Sequence, residues 1–493
     1  MAGIGVRLNR LFDKNSITTS LVGMAYSTVV TVAPMILVIA EVLLMGWALG
    51  FGSVGYVERE LFSCTILYVF IFALLAVSPF TAVLSKYMQD AIYEERQRDI
   101  LPCFYLGLFL NALVGCLMGI PFCLWEHFVG GVRVFYVFMG FCTFVTLLLS
   151  FYSMIYLSIC KSYERISLSF LIGMAAAFFL SLALRYYWHW AVTDSMLFAL
   201  MVGFFLIAVL EFSAVKRFFV ENSSRYKPVI RYFGRYWKLV LTNMLYVLGL
   251  FVHNFVFWTT DMRIVVVRTF VCNQPYDMAT CIAMFTNISA TVIFISRVEM
   301  FFHQKYKAYS EAVIGAKLAD IENAKRRMFR QIASELMTLV RIQFIISVTI
   351  YLLCVVLLPQ FGFTQLIMRI YPCLAAGYFI LFLMFAALLF LYYFNDMLGA
   401  ILTTLLFCLV TFLGSLAATH LSEIWYGLGL LLGAFTGWTT AYIRLRWVER
   451  NMDRHIFCNG ILVKQGNGPQ PPAMVYSKAE ELKKQREAAE GVR

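Results

Sequence analysis

Seven polar or charged side chains stand inside, or at the ends of, long apolar stretches of this 493-residue chain. Within a membrane a polar group in such surroundings is costly unless it is paired or meets water, and by default it marks a substrate path, an ion path or a gate. We therefore take these residues as candidates for lining a cavity or forming a gate: Glu41, Asn243, His253, Asn254, Arg297, Glu299 and Asp396.

Glu41 is the sharpest of these candidates. It lies well inside the first apolar run, seven residues after Pro34. A proline at that place removes one helical hydrogen bond and kinks the helix. A kinked first helix with an inward carboxylate suits a transport cavity. The alternative is that the helix ends early and Glu41 lies among the outer headgroups.

Three further candidates, Asn243, His253 and Asn254, share one apolar run. His253 and Asn254 are close to its outer end, so they line a polar path or, alternatively, lie at the membrane interface. Asn243 is deeper in the run, where an amide can form a hydrogen bond between two helices.

Arg297 and Glu299 lie near the inner end of another run. Residues two apart do not face each other on a helix, so this is not a local ion pair. Arg297 either snorkels to the cytoplasmic surface or contacts a substrate or gate. Glu211, at the inner end of its own run, has the same alternatives. Asp396 has no Lys or Arg near it in sequence and either caps a helix or belongs to a gate.

Catalytic patterns are sparse in this sequence. There is no Walker-type glycine-rich loop and no Asp-x-Asp pair, and no nucleophile is matched with a base. The 12 cysteines are scattered, mostly within apolar runs, without a CxxC pair or a Cys/His cluster. We therefore predict a protein that is not an enzyme and holds no metal and no cofactor.

Composition identifies the elements that must position the candidate residues. Hydrophobic residues make up 61% of the chain and charged residues 14%, whereas soluble domains have about 25% charged residues. The apolar runs are continuous and reach the ~20 residues that a membrane-crossing helix needs. The sequence thus predicts an all-α polytopic membrane protein with twelve spans, at about 17–49, 62–84, 101–124, 133–158, 166–187, 191–212, 237–258, 277–302, 337–358, 367–392, 397–419 and 422–443.

The basic residues give the topology. Of the 40 Lys and Arg residues, 32 fall before the first span, at every second gap, or after the last span. The opposite side has only Arg59, Arg133, Arg185, Arg263, Arg268 and Arg369, and Arg297 and Arg341 lie within spans. By the positive-inside rule both termini are cytoplasmic. The same rule accounts for the net charge of +12 without a nucleic-acid partner.

The sixth gap divides the spans into two sets of six. We predict an N-terminal six-helix lobe at 1–212, a cytoplasmic linker at 213–236, a C-terminal six-helix lobe at 237–445 and a cytoplasmic polar tail at 446–493. Near 303–336 apolar residues recur at helical spacing beneath basic ones. This pattern predicts an amphipathic cytoplasmic helix on the leaflet or, alternatively, a helical extension of the ninth span.

Several stretches in both halves resemble the PelG family, which transports the Pel exopolysaccharide across the bacterial inner membrane. They occur in the same order as in that family: Met1 to Leu8, Lys86 to Glu94, Asp99 to Pro102, Phe257-Trp258, Tyr276-Asp277, Arg297 to Glu299, Phe302, and Tyr306 to Tyr309. The resemblance implies the multidrug/oligosaccharidyl-lipid/polysaccharide flippase superfamily, with its two six-helix lobes around a central cavity. It also implies two kinds of partner: a cytoplasmic glycosyltransferase, and membrane or cyclic-di-GMP-receptor subunits of a Pel-type apparatus.

The leading hypothesis is therefore translocation of a hexosamine polymer across the bacterial inner membrane. A neutral acetylated sugar requires hydrogen bonds and stacking surfaces more than charge. Three alternatives stay open: a flippase for lipid-linked oligosaccharides, an ion-coupled exporter of small molecules that uses Glu41, and a membrane glycosyltransferase. The scarcity of Lys and Arg deep in the spans counts against the first. Short external loops without paired carboxylates count against the last.

Overall fold

The computed structural model describes residues 17–160, 162–284, 302–315, 317–357, 359 and 365–458. Nine helices in these ranges are long and apolar enough to cross a membrane. In lipid a helix satisfies its own backbone hydrogen bonds, so continuous apolar sequence folds in this way. Most of the eighth predicted span, including Arg297 and Glu299, lies outside the described residues, as do the first 16 residues and the tail beyond 458.

The first half of the chain forms one group of packed helices, the N-terminal helix group. Its members are α1 Ile17–Ala48, α2 Tyr56–Tyr93, α3 Ile100–Phe128, α4 Val134–Ile159, α5 Tyr163–Tyr186 and α6 Val192–Phe218. Short 3₁₀ turns, Phe51–Ser53 and Gln97–Asp99, precede α2 and α3. Within the group α4 packs on α2, α3 and α6, while α5 packs on α1 and α6. At Gly173 of α5 an added Cβ would lie 2.8 Å from the carbonyl oxygen of Gly203 in α6. The backbones of α5 and α6 are therefore in close contact at this point.

The predicted linker contains one short helix, α7 Lys227–Arg235, with Pro228 in its first turn. α7 packs against α2 and α3 of the N-terminal helix group. The next helix, α8 Trp237–Phe257, begins two residues after α7 ends and opens the second half of the chain.

The second half forms the C-terminal helix group. After α8 come a two-stranded antiparallel hairpin, β1 Ile264–Val266 and β2 Phe270–Cys272, and a helix α9 described over 274–284. The remaining members are α10 His303–Gly315, α11 Leu318–Leu357, α12 Gln365–Tyr393, α13 Met397–Ala418, the 3₁₀ turn Glu423–Trp425 and α14 Leu428–Cys458. From Leu445 onward α14 belongs to a separate compact unit, in which Arg446 pairs with Glu449 at 2.8 Å.

The longest helix is α11, with 40 residues. At 1.5 Å per residue it is about 60 Å long, roughly twice the hydrocarbon thickness of a bilayer. Its N-terminal half carries the basic residues Lys325, Arg326 and Arg327, and its C-terminal half is the ninth predicted span. Over 318–336 the chain is thus a continuous helical extension of the span, whereas 303–315 is the separate helix α10.

Among the described residues, buried apolar side chains form a large core in each helix group. One contains residues from Val38 to Val229 and the other residues from Phe257 to Ala434. Small clusters of described residues also join the helix groups: Cys64 with Val266, Phe270 and Cys272, and Ile71 with Phe251 and Trp258. The contact between the two groups is therefore made chiefly by α2 on one side, with α8 and the hairpin on the other.

Candidate functional site

The two helix groups meet along α2, and we call this contact, from Cys64 to Thr81 against α8 and the hairpin, the seam. From Cys64 to Thr81 the helix rises by about 25 Å, which is most of the thickness of the hydrocarbon core of a membrane. We name its ends by what lies there. The hairpin end holds Cys64 and Tyr68, and beyond the linker end α7 packs on α2. The pattern of basic residues predicts that the hairpin end is external.

Toward the linker end, the seam is joined by hydrogen bonds around Pro79, which lies within α2. Pro79 has no N–H to donate to the carbonyl of Leu75, and the Ser78 hydroxyl donates to that carbonyl instead, at 2.9 Å. The Asn243 amide of α8 donates to the Ser78 carbonyl at 2.5 Å and to the Thr81 hydroxyl at 3.0 Å. Asn243 thus makes the helix–helix hydrogen bond that was one of its interpretations.

At the hairpin end, Asp277 of α9 is the centre of a buried polar cluster. Its carboxylate accepts hydrogen bonds from the Asn254 amide at 2.7 Å, from the Trp258 indole N–H at 3.0 and 3.1 Å, and from the backbone N–H of Asn273 at 3.0 Å. Only 7% of Asp277 is exposed. A carboxylate taken out of water needs such donors, so the cluster fixes the side chains around it.

His253 lies beside this cluster and is fully buried. Its Nδ1 is 2.8 Å from the hydroxyl of Tyr276, which is the neighbour of Asp277 on α9. Asn254 is also buried, at 2% exposure. The two residues therefore lie inside the protein, in the last turn of α8. The choice between a polar path and a place at the membrane interface stays a prediction.

Trp258 connects the Asp277 cluster to the N-terminal helix group. Its ring stacks on Tyr68 of α2, with centroids 5.0 Å apart and planes 10° from parallel. The Tyr68 hydroxyl donates to the Val271 carbonyl at 2.7 Å and accepts from the Val271 N–H at 3.1 Å. A continuous set of contacts thus runs from Asp277 through Trp258 to Tyr68, and so from one helix group to the other.

The hairpin itself has a strained turn. Val267 and Arg268 have φ of 48° and 66°, and the Thr269 N–H bonds to the Val266 carbonyl at 3.3 Å. Positive φ at both central residues is the geometry of a type I′ turn, which favours Asn and Gly, and a β-branched residue there is an outlier. Such strain persists where the surrounding structure holds it. Here the Thr269 hydroxyl donates to Glu126 of α3 at 2.5 Å.

Glu126 also lines a cavity of about 190 Å³ between α2, α3, α4 and the hairpin. Seven of its sixteen lining residues are aromatic: Tyr68, Phe72, Phe122, Tyr136, Phe141, Phe144 and Phe270. Only 1% of Glu126 is exposed, and among the described residues its Oε1 has no hydrogen-bond partner. The hairpin end therefore combines ring faces with a few hydroxyl, amide and carboxylate groups.

The other candidates lie elsewhere. Glu41 is 6% exposed on α1, which packs on α5, and its Oε1 has no partner among the residues described. Asp396 caps α13 through the Gly399 N–H and forms a two-pronged ion pair with Arg444 at 2.8 and 2.9 Å. Of the seven candidates, the structure brings His253 and Asn254 together beside the hairpin end of the seam and places Asn243 toward its linker end.

Sequence reasoning did not select several residues of the hairpin end as site residues. Trp258 and Asp277 did occur in the stretches that carry the family resemblance. Tyr68, Glu126 and Thr269 had no signal of their own, because aromatic residues are common throughout the spans and Glu126 falls at the end of one. Their roles depend on contacts between segments that are distant in sequence.

Comparison with known proteins gives the family and the fold. The profile of the PelG exopolysaccharide exporter family (EPS-E) matches residues 1–457. A search of curated proteins finds no significant match. Similar solved structures include a multidrug resistance MATE family transporter of the MOP superfamily in an outward-facing conformation, at 12% identity and TM-score 0.57, covering 86% of this chain and 96% of that one.

Two further structures agree with this result. A MATE protein in a bent conformation has 12% identity and TM-score 0.58 over 87% of this chain and 96% of its own. A mutant of the Vibrio cholerae MATE transporter VcmN has 11% identity and TM-score 0.56, with the same coverage. At such identities the likeness shows the fold alone, a MATE-like transporter fold. Because the profile covers nearly the whole chain, the chain belongs to the PelG family of exopolysaccharide exporters, multi-pass membrane proteins that translocate a polysaccharide.

Proposed function

We propose that this chain exports a Pel-like hexosamine polymer from the cytoplasm across the bacterial inner membrane, with both termini in the cytoplasm. Residues 1–212 and 237–445 would be the two lobes, joined by the linker at 213–236. The observation that carries the proposal is the hairpin end of the seam, where Asp277, Trp258 and Tyr68 form one set of contacts beside an aromatic cavity.

The chemistry of this region fits a sugar chain. Pyranose rings present apolar faces that stack on aromatic rings, and their hydroxyl and acetamido groups exchange hydrogen bonds with amides, hydroxyls and carboxylates. The contacts that hold the hairpin end are of these two kinds: the Tyr68–Trp258 stack, and the hydrogen bonds to Asp277 and Glu126. A lipid diphosphate would call for basic groups instead.

Export requires the hairpin end to open, and the contacts suggest how. When Tyr68 separates from Trp258, the indole N–H keeps its bond to Asp277, because both residues belong to the C-terminal helix group. The exposed indole face then keeps its orientation and is available to a sugar ring. Tyr68, released from Val271, presents a second ring and a free hydroxyl. When the hairpin end opens, the Trp258 and Tyr68 rings that had held it closed therefore become two preorganised binding surfaces.

The cytoplasmic partners would be a glycosyltransferase and the membrane or cyclic-di-GMP-receptor subunits of a Pel-type apparatus. Helix α11 supports this part of the proposal, because about half of its ~60 Å length exceeds what a bilayer accommodates. The excess is its basic N-terminal half, next to α10. It offers a rigid surface on the side where the polymer is made.

Complementation of a strain without this gene tests the proposal. Secreted hexosamine polymer is measured for the wild type, Trp258→Ala and Trp47→Ala. Trp47 is 85% exposed on α1 and serves as the matched control. We expect loss of secretion for Trp258→Ala and normal secretion for Trp47→Ala, at equal abundance in the membrane. Normal secretion by Trp258→Ala would contradict the proposed route. Accessibility of tags at the two chain ends tests the orientation.

An ion-coupled mode of transport is a second candidate, favoured by the burial of Glu41. A buried carboxyl that can exchange a proton is the usual coupling group of such exporters. Export that fails for Glu41→Gln but continues for Glu41→Asp would support coupling. Full secretion by Glu41→Gln at normal abundance would contradict ion coupling through Glu41.

A further inference from the structure

Two thiols meet at the hairpin end of the seam. The sulfur atoms of Cys64 and Cys272 lie 3.0 Å apart, although the residues are 208 positions apart in sequence. Cys64 belongs to α2, and Cys272 ends β2. They are 1% and 4% exposed and pack together with Val266 and Phe270. Both are free thiols in this structure.

The place of this pair in the fold gives it a mechanical consequence. Cys272 directly precedes Asn273, whose N–H is held by Asp277, so Cys272 moves with the C-terminal helix group. Cys64 lies one helical turn from Tyr68, on the other side of the closure. A covalent bond between the two sulfurs would therefore join the helix groups at the point where export requires them to separate.

We propose that Cys64 and Cys272 are a redox modification site, and that a disulfide between them locks the hairpin end closed. With both thiols reduced the end can open. With the disulfide formed, the stack of Tyr68 on Trp258 cannot separate, and export stops. The proposal rests on the proposed function only in taking opening of this end as a step of export.

The reaction is a thiol–disulfide exchange with an oxidant of the disulfide class. When the hairpin end opens, one of the thiols is exposed, and its thiolate attacks the oxidant to give a mixed disulfide and one released thiol. When the end closes, the second thiolate attacks the mixed disulfide, so the Cys64–Cys272 bond forms and a second thiol leaves. Two protein thiols lose two protons and two electrons, and the oxidant's S–S bond is reduced to two thiols. Under the proposed orientation the pair faces an oxidising compartment.

The chain offers a matched control in Cys103. Its thiol is also buried, but lies 3.2 Å from the Tyr156 hydroxyl, within the N-terminal helix group. The test variants are Cys64→Ala, Cys272→Ala and Cys103→Ala. Alanine introduces no new polar group, and the membrane abundance of each variant is measured alongside.

The experiment uses the full chain in complemented cells, treated with dithiodipyridine, a small disulfide, and then with a reductant. Free thiols are alkylated under denaturing conditions, and the unreduced digest is analysed by mass spectrometry. We expect a peptide that links Cys64 to Cys272 in the wild type and in Cys103→Ala, with loss of secretion that the reductant restores. Cys64→Ala and Cys272→Ala should give no linked peptide and continue to secrete in the presence of the oxidant.

The contrary outcomes are distinct. Absence of the linked peptide from the oxidised wild type would overturn the modification site. A linked peptide with undiminished secretion would overturn the lock while leaving the export function intact. Failure of the proposed function itself would appear differently, as lack of hexosamine polymer in wild-type cells treated with the reductant alone and in untreated Cys64→Ala cells.

Discussion

The two ends of the seam are held by different kinds of contact. At the hairpin end the contacts are buried or partly buried: the Asp277 cluster, the Tyr68–Trp258 stack and the Glu126–Thr269 hydrogen bond. Around the linker end some contacts are exposed to solvent. Arg98 meets Glu221 at 2.5 Å with side chains 74% and 62% exposed, whereas the Ser223 hydroxyl donates a partly buried hydrogen bond to Asp99 at 2.6 Å.

This difference indicates where the energy of closure resides. Exposed ion pairs contribute little, because water and salt screen them, whereas buried hydrogen bonds and ring contacts are costly to break. Other linker-end contacts are partly buried, among them the bonds of Asn243 to α2 and the bond from the Tyr232 hydroxyl to Asp90. Burial first, and then that hydrogen bond, raise the pKa of Tyr232, so its phenol stays protonated at neutral pH. We infer that the linker is a tether, and that the hairpin end is the closure that export must open.

The largest effect is expected from Asp277→Ala. It leaves the donors of Asn254, Trp258 and Asn273 buried without an acceptor, at roughly 1–3 kcal/mol for each. We expect a clear fall in the melting temperature of the detergent-purified protein and loss of export. Asp277→Asn retains one acceptor oxygen and should lose less. Wild-type melting of Asp277→Ala would show that the cluster does not stabilise this end.

A smaller effect is expected at Tyr68, which is half-buried. Tyr68→Ala removes the stack on Trp258 and both bonds to Val271, which we place at roughly 2 kcal/mol from typical aromatic and hydrogen-bond losses. Tyr68→Phe keeps the ring and should cost about 1 kcal/mol. Secretion should fall for the alanine variant and be largely retained by the phenylalanine variant. Equal secretion by the two would argue against a role for the ring.

Thr269→Val tests the attachment of the hairpin to α3. It removes the hydrogen bond to Glu126 while keeping the shape of the side chain, at roughly 1–2 kcal/mol. Because the turn at Val267 and Arg268 is strained, loss of this bond should free the hairpin. Hydrogen exchange should become faster at Ile264–Cys272, with little change in α5 and α6. An unchanged exchange rate in the hairpin would mean that other contacts hold the turn.

The smallest effect is expected at the linker end. Arg98→Ala or Glu221→Ala removes an exposed ion pair, which contributes about 0–1 kcal/mol. Melting temperature and secretion should stay close to those of the wild type, in contrast to the hairpin-end variants. A loss as large as that of Asp277→Ala would reverse the comparison between the two ends.

Much of the helical framework could be predicted, because hydropathy detects the part of each helix that lies in hydrocarbon. The span predicted at 62–84 became α2 Tyr56–Tyr93, which is longer at both ends. The ninth span became the last part of α11 Leu318–Leu357. Hydropathy does not detect the parts of a helix outside the membrane, so both predicted spans were shorter than the helices.

The hairpin end could not be predicted in the same way. Its strands have three residues each, and the turn Val267-Arg268 lacks the Asn or Gly that normally indicates a hairpin. The hydrogen bond from Thr269 to Glu126 joins residues 143 positions apart in sequence. The ion pair between Arg444 and Asp396 joins residues 48 positions apart. Sequence periodicity carries no information on such pairs. Of the polar residues selected within the spans, Asn243 makes the helix–helix hydrogen bond that was one of its alternatives. The lining of a polar path by His253 and Asn254 stays a prediction.

The most direct test of the account is a pair of distances measured by double electron–electron resonance in nanodiscs. Spin labels attached through non-canonical amino acids at the exposed positions Tyr56 and Val265 report on the hairpin end, and labels at Tyr93 and Val220 report on the linker end. With a hexosamine oligosaccharide added, we predict a second, longer distance between Tyr56 and Val265. The Tyr93–Val220 distance, between the end of α2 and the residues just after α6, serves as a reference within the N-terminal half and should stay unchanged. A single unchanged distribution at the hairpin end, in a protein that still exports polymer, would contradict the claim that this end opens.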